Sequence, residues 1–390
     1  MNQEREKILI LIRCCLCIGG AVGMISNCIG IYYTPIARSL GVGKGDVALM
    51  VTLTSLSTAF FAPVFVRLIR RFRINLVMSA GVLLGAAAFM LMSVARSIYL
   101  FYVAGIMNGI SASCFATLPV SLILRDWYAE KNGSKLGIAM AFSGAFAAVL
   151  NPILGKVITA RGYRNGFRLM ALLLLVICLP CTATMKLRDP ASVQSPEKKK
   201  EVRNTAAAAS LTVILLYVAA MCFYGQNGMN SHVSALAVSA GYTLRFSATA
   251  VSFQSITNML FKLGFGFLAE KLGAVKASSA YLLIGLTGTI LMTFFRSVPL
   301  LMIMGPALYS ANFSVSTVGS SLLAQKVAKD RYADVYSRQT ILATSSYAVM
   351  TTVYGFLCDR FSSYQPGLFV VITLSVIGLV LIQVLDRRTD

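Results

Sequence analysis

The stretch NMLFKLGFGFLAEKLG, Asn258 to Gly273, combines two features that seldom meet: an apolar run long enough to cross a membrane, and a lysine, Lys262, inside it. A charge at the centre of a bilayer costs on the order of 3 kcal/mol, so a spanning helix that carries one is a functional candidate by default. The run closes on Gly266-Phe-Leu-Ala-Glu270-Lys271-Leu-Gly273, a polar turn bounded by glycines. Lys262 stands eight residues before Glu270. At a rise of about 1.5 Å per residue its Cα is roughly 12 Å up the helix, near the midplane of a hydrocarbon core about 30 Å thick.

The rest of the chain fits a membrane setting. Of 390 residues, 57% are hydrophobic and 13% charged, about half the charged share of a soluble domain. The net charge of +21 would suggest nucleic acid in a soluble protein, but the basic residues here lie between apolar runs, the pattern of membrane topology. Runs of about 20 apolar residues predict twelve helices, over 8–34, 46–68, 74–95, 98–124, 134–158, 167–186, 207–232, 245–269, 274–295, 298–323, 333–357 and 365–385. The first is read as a retained helix, since no small-residue cleavage site follows MNQEREK. One polar, basic linker, residues 187–206, separates six spans (1–186) from six (207–390). With the N-terminus in the cytoplasm, 23 basic residues fall on inner segments and 10 on outer ones, which places both termini and the linker inside.

The two halves echo each other at an offset of 200. VRLIRRFR (66–73) aligns with GFLAEKLG (266–273), and NPILG (151–155) with TTVYG (351–355). Parallel repeats of this kind build transporters whose site lies at the repeat interface near the midplane. The fold expected is an all-α membrane protein of two six-helix bundles.

The turn Gly266 to Gly273 resembles the signature of the major facilitator superfamily between spans two and three and spans eight and nine, with Glu270 where Asp is usual. Three elements are similar to its monocarboxylate and oxalate–formate branch. These are Arg125-Asp-Trp127-Tyr128 leading to Gly133 and LGIAMAFSGA, Gly162-Tyr-Arg164, and Gly355-Phe-Leu-Cys-Asp359 followed by Ser-Ser-Tyr364. The first-half turn departs from the pattern, with Arg70 in the place of the acid and Arg73 in the place of Gly. Span four has Gly105 where proton-driven drug antiporters carry Arg, which counts against an exchanger of that type. The resemblance implies an inner gate built from Gly266, Glu270, Lys271, Gly273, Arg70 and Arg71. It also implies that Lys262 binds a substrate carboxylate, with Asn258 standing where the branch often has an acid.

The residues themselves point the same way. All fourteen acids lie in loops or near span ends, so no carboxylate is central in a span to neutralise Lys262. A structural or gating charge and a snorkelling stem are the other readings of that lysine. Lysine is a compact point charge without the planar fork of arginine, which favours a monoanion. Span seven carries Gln226, Asn230 and His232, and span ten Tyr309 and Asn312, a polar series expected to wall the cavity. His232, the only histidine, is read either as a proton-coupling group or as a hydrogen-bonded interfacial side chain. One histidine rules out most catalytic and metal sets, and the nine cysteines read as small packing residues.

The sequence therefore predicts a non-enzymatic secondary transporter of the cell membrane, plasma or inner, and multi-pass. It would move a small organic anion by alternating access through anion exchange or proton symport, with no cofactor, metal or nucleic acid, as a monomer in lipid. A broad-specificity efflux carrier and a non-transporting membrane sensor are the alternatives.

Overall fold

A computed structural model describes residues 2–128, 132–188, 211–327 and 332–389; residues 189–206 of the expected linker lie outside them. The described residues form helices and turns without a strand. In hydrocarbon a helix satisfies its own backbone N–H and C=O groups, which is why apolar runs of this length adopt it. Ten helical rods, from Glu4–Leu40 to Gln365–Arg387, are long and apolar enough to span a membrane. The expected spans 245–269 and 298–323 complete the twelve. Span eight is one helix, Leu244–Leu272. Span ten is broken into Pro299–Tyr309, Asn312–Ser314, a π-helical turn Val315–Gly319, and Ser320–Val327.

The duplication is visible in the breaks. Span one passes from Asn2–Ile18 through a π-helical stretch, Gly19–Asn27, and a 3₁₀ turn, Ile29–Tyr32, into Tyr33–Leu40. Span seven passes from Leu211–Asn227 through a 3₁₀ turn, Gly228–His232, into Val233–Ser239. The two 3₁₀ turns stand 200 residues apart, and the glycines that follow these spans, Gly41 and Gly241, both take left-handed conformations, φ 67° and 95°. Glycine alone adopts that conformation without penalty, so each rod stops at the same place. All nine cysteines are free thiols, eight of them buried.

With an even number of spans both termini lie at one end of the molecule. At the opposite, distal end the halves are pressed together. A Cβ on Gly355 of span eleven would lie 2.6 Å from the Cα of Gly45 on span two. Thr52 of span two bonds Ala348 O and Thr352 Oγ1 of span eleven. A Cβ on Gly144 of span five would meet Ser255 O of span eight at 2.8 Å, and one on Gly155 would meet Ala248 Cβ at 2.7 Å. Toward the termini the same pairs diverge. The register that sets Gly45 on Gly355 and Thr52 beside Ala348 would set Ala59 on Ile341, yet both are exposed, Ile341 by 62%. On spans five and eight, Cβ atoms added to Gly137 and Gly266 would meet nothing within 4 Å. The molecule is closed at the distal end and open at the termini end.

Candidate functional site

Lys262 lies where spans five and eight part. Their antiparallel register, fixed by Gly144 against Ser255 and Met259, places Lys262 just past the last tight crossing and before the open space at Gly137 and Gly266. At 100° per residue, Ser255 and Ala248 face span five, while Gln254 and Phe265 face the helix's own bundle. Asn258 and Lys262 fall between these two faces, one turn apart and on the same side. Both are half-buried. Lys262 has no ion-pair or hydrogen-bond partner among the described residues. Asn258 Oδ1 is buried and also without a partner. Lys262 and Asn258 thus place an ammonium and an amide one turn apart on the same side, each with an atom that has no partner among the described residues.

The other polar residues expected to wall the cavity are placed differently. Gln226 is fully buried, its Oε1 accepting from Ser375 Oγ of span twelve at 2.5 Å. Tyr309 is buried and donates to Gln226 O at 2.6 Å. Asn312 is buried against Gly285 with neither amide atom bonded. Asn230 accepts from Gln254 Nε2 at 2.9 Å, tying span seven to span eight. Gln226, Tyr309 and Asn312 thus form polar packing inside the second half, while Lys262 and Asn258 sit at its edge.

A further small cavity, about 40 Å³, is lined by Ser26, Met50, Thr54 and Asn108 of the first half and by Tyr347 of span eleven. Asn108 Oδ1 has no partner there. Tyr347 lies in TILATSSYAVM, a run with no base, and only its helical position on the inter-half face of span eleven could have singled it out.

The distal closure has its own chemistry. Asp359, near the end of span eleven, accepts from the backbone N–H of Lys44 at 2.9 Å and of Gly45 at 2.7 Å, the first residues of span two. Asp46 of span two accepts from Gly43 N at 3.0 Å. The N-terminus of span two is therefore capped by two carboxylates, one from each half. The Lys44 ammonium lies over the Tyr364 ring, 4.8 Å from its centroid, with Cys358 Sγ 3.7 Å away.

His232 belongs to this closure. It is fully buried. Its Nε2 meets Thr351 O at 2.7 Å, and because a carbonyl only accepts, Nε2 carries the hydrogen. Nδ1 then accepts from Tyr364 OH at 3.2 Å. The edge of the ring contact with Tyr33 of span one, at 5.0 Å between centroids, completes the enclosure. Neither nitrogen bonds a carboxylate or faces the opening, so the geometry matches the interfacial reading. His232→Gln is expected to leave the pH profile of transport unchanged and to lower the thermal midpoint by a few degrees. A flattened pH profile with unchanged stability would restore the proton-coupling reading.

The expected inner gate stands apart in this open form. Glu270 and Lys271 are exposed, and Lys271 Nζ lies over the ring of its neighbour Phe267 at 4.4 Å. Gly273 ends span eight at φ 82°. Arg71 is exposed and lies by Phe72, while the side chain of Arg70 lies outside the described residues. Among the described residues no hydrogen bond or ion pair joins the first-half turn to the second-half turn.

A model of the Major Facilitator Superfamily matches residues 15–345. Monocarboxylate transporter 3 of Rattus norvegicus is 30% identical over 180 residues, 45% of this chain and 36% of that protein. The MFS-type transporter YcxA of Bacillus subtilis is 21% identical over 223 residues, 55% of this chain and 54% of that protein. The chain thus spans between about a third and about half of the length of these relatives. Among solved structures, the nucleoside transporter NupG superposes with a TM-score of 0.77 at 12% identity, covering 99% of this chain and 100% of that one. A bacterial homologue of the lysosomal transporter Spinster, inward-facing and unoccupied, does so with a TM-score of 0.73 at 12% identity, covering 98% and 97%. At such identities the likeness is one of fold.

Proposed function

The chain belongs to the major facilitator superfamily, and on that premise we propose that it carries a small organic anion, a monocarboxylate, across the membrane by alternating access. The observation that carries this reading is Lys262: a half-buried ammonium with no partner among the described residues, one turn from Asn258, where spans five and eight open. Desolvating an ammonium is costly, and a bound carboxylate offsets that cost with charge-assisted hydrogen bonds. The sequence likeness to monocarboxylate transporters supports the same class of substrate. A single cation favours one carboxylate over two. Exchange of anions, or symport with a proton carried by the acid itself, would keep the step electrically mild.

The test is counterflow in proteoliposomes loaded with lactate, pyruvate, formate or oxalate, with uridine as a neutral control. Labelled monocarboxylates are expected to exchange, oxalate weakly and uridine not at all. Exchange of uridine without any carboxylate would overturn the reading.

A further inference from the structure

A cleft of about 540 Å³ opens at the distal end, between the last segment of span one, the turn into span six, and the turn that joins spans seven and eight. Thr34, Arg38, Ile158 and Tyr163 line it from the first half, and Val238 and Tyr242 from the second.

Three features make this a recognition surface rather than a packing fault. First, both halves build it, Thr34 from one and Tyr242 from the other, so a ligand in the cleft touches both. Second, Arg38 is the one charged residue of the lining, no acid lines the cleft, and Arg38 has no ion pair among the described residues. Exposed Arg161, Arg164 and Arg245 stand next in sequence to the lining residues Gly162, Tyr163 and Leu244. Third, the remaining wall is apolar and aromatic, with Tyr242 stacked on Phe246 at 4.3 Å and Tyr163 held by a 3.4 Å contact with Ser39 Oγ. A fork of N–H donors at one edge and an apolar, aromatic body suit an amphipathic carboxylate with a flat hydrophobic part.

We propose that this distal cleft binds an amphipathic carboxylate, and that the ligand holds the molecule in its distal-closed form. The second clause rests on the alternating-access reading above. Because the walls come from both halves, distal opening pulls Thr34 and Arg38 away from Val238 and Tyr242. A ligand that touches both walls then binds the closed form alone and shifts the population toward it. It acts as an inhibitor from the distal side without competing for Lys262.

The probe is 2-naphthoate, with neutral 2-naphthamide as its control, added to the purified protein and followed by calorimetry. Naphthoate is expected to bind, naphthamide at least about tenfold more weakly, and Arg38→Gln to weaken naphthoate by a similar factor. Arg38 is exposed, so that variant is expected to fold as the parent does. Lys262→Ala is expected to retain naphthoate binding, which separates this site from the central one. Binding lost in Lys262→Ala and kept in Arg38→Gln would overturn the cleft, as would equal binding of acid and amide.

Discussion

Lys262→Met is expected to lower carboxylate transport at limiting substrate roughly ten- to hundredfold while making the protein more stable. The two effects share one cause. In the empty protein the ammonium is half-buried with no partner among the described residues, and a lysine at membrane depth costs roughly 2.5–3.5 kcal/mol. Methionine fills similar space without that cost, so the thermal midpoint should rise. The bound substrate would then lose one or more charge-assisted hydrogen bonds, worth about 1.5–3 kcal/mol each, or roughly a ten- to hundredfold loss in apparent affinity. Lys262→Arg keeps the charge but brings a wider, forked head, and should retain part of the activity with relaxed discrimination against oxalate. The measurements are counterflow rate and thermal unfolding on the same preparations. A methionine variant that transports at the parental rate, or that loses stability along with activity, would show that Lys262 is a structural charge.

The sequence exposed this residue because its cost is written in one dimension: a lysine inside an apolar run needs no tertiary knowledge to stand out. The twelve rods were legible for the same reason, since hydrocarbon thickness fixes their length. The breaks in spans one, seven and ten were not. Gly19–Asn27 is apolar and small enough to read as continuous helix, and Gly228–His232 continues the apolar run of span seven; the two broken spans pack closely, with Gly30 against Ser231 O. The polar series on span seven was legible as a set and misplaced in detail. Gln226 and His232 are polar at cavity spacing, but their partners, Ser375 and Thr351, stand more than a hundred residues away and turn them inward. Asp359 is legible in the sequence as part of Gly355-Phe-Leu-Cys-Asp359. Its bond to the N-terminus of span two joins residues 315 apart, and no spacing rule reaches that far.

Asp359→Ala is expected to weaken the distal closure and to move the resting population toward the distal-open form. The backbone N–H groups at the head of a helix have no partners within it, and an anion there is favoured by the helix dipole as well. In the closed form three of these groups on span two are satisfied by carboxylates, Gly43 N by Asp46 of the same half, and Lys44 N and Gly45 N by Asp359 of the other. When the distal end opens, Asp46 moves with its helix and keeps its bond, whereas both Asp359 bonds break. Only the second carboxylate therefore discriminates between the two forms. Asp359 is exposed, so water recovers part of what is lost, and a net preference of about 1–2 kcal/mol for the closed form is reasonable for the pair of bonds. Removing it should change the closed-to-open ratio roughly tenfold. Asp359→Asn keeps an acceptor without the charge and should fall between, while Asp46→Asn should lower stability with little effect on the ratio. The readout is the distance between spin labels at Ser39→Cys and Ser239→Cys, exposed positions on opposite halves of the distal end. A long-distance population that grows in the order parent, Asn, Ala supports the trans cap. An unchanged distance distribution in Asp359→Ala would mean that the glycine contact between Gly45 and Gly355 and the Thr52 bonds hold the closed end without it.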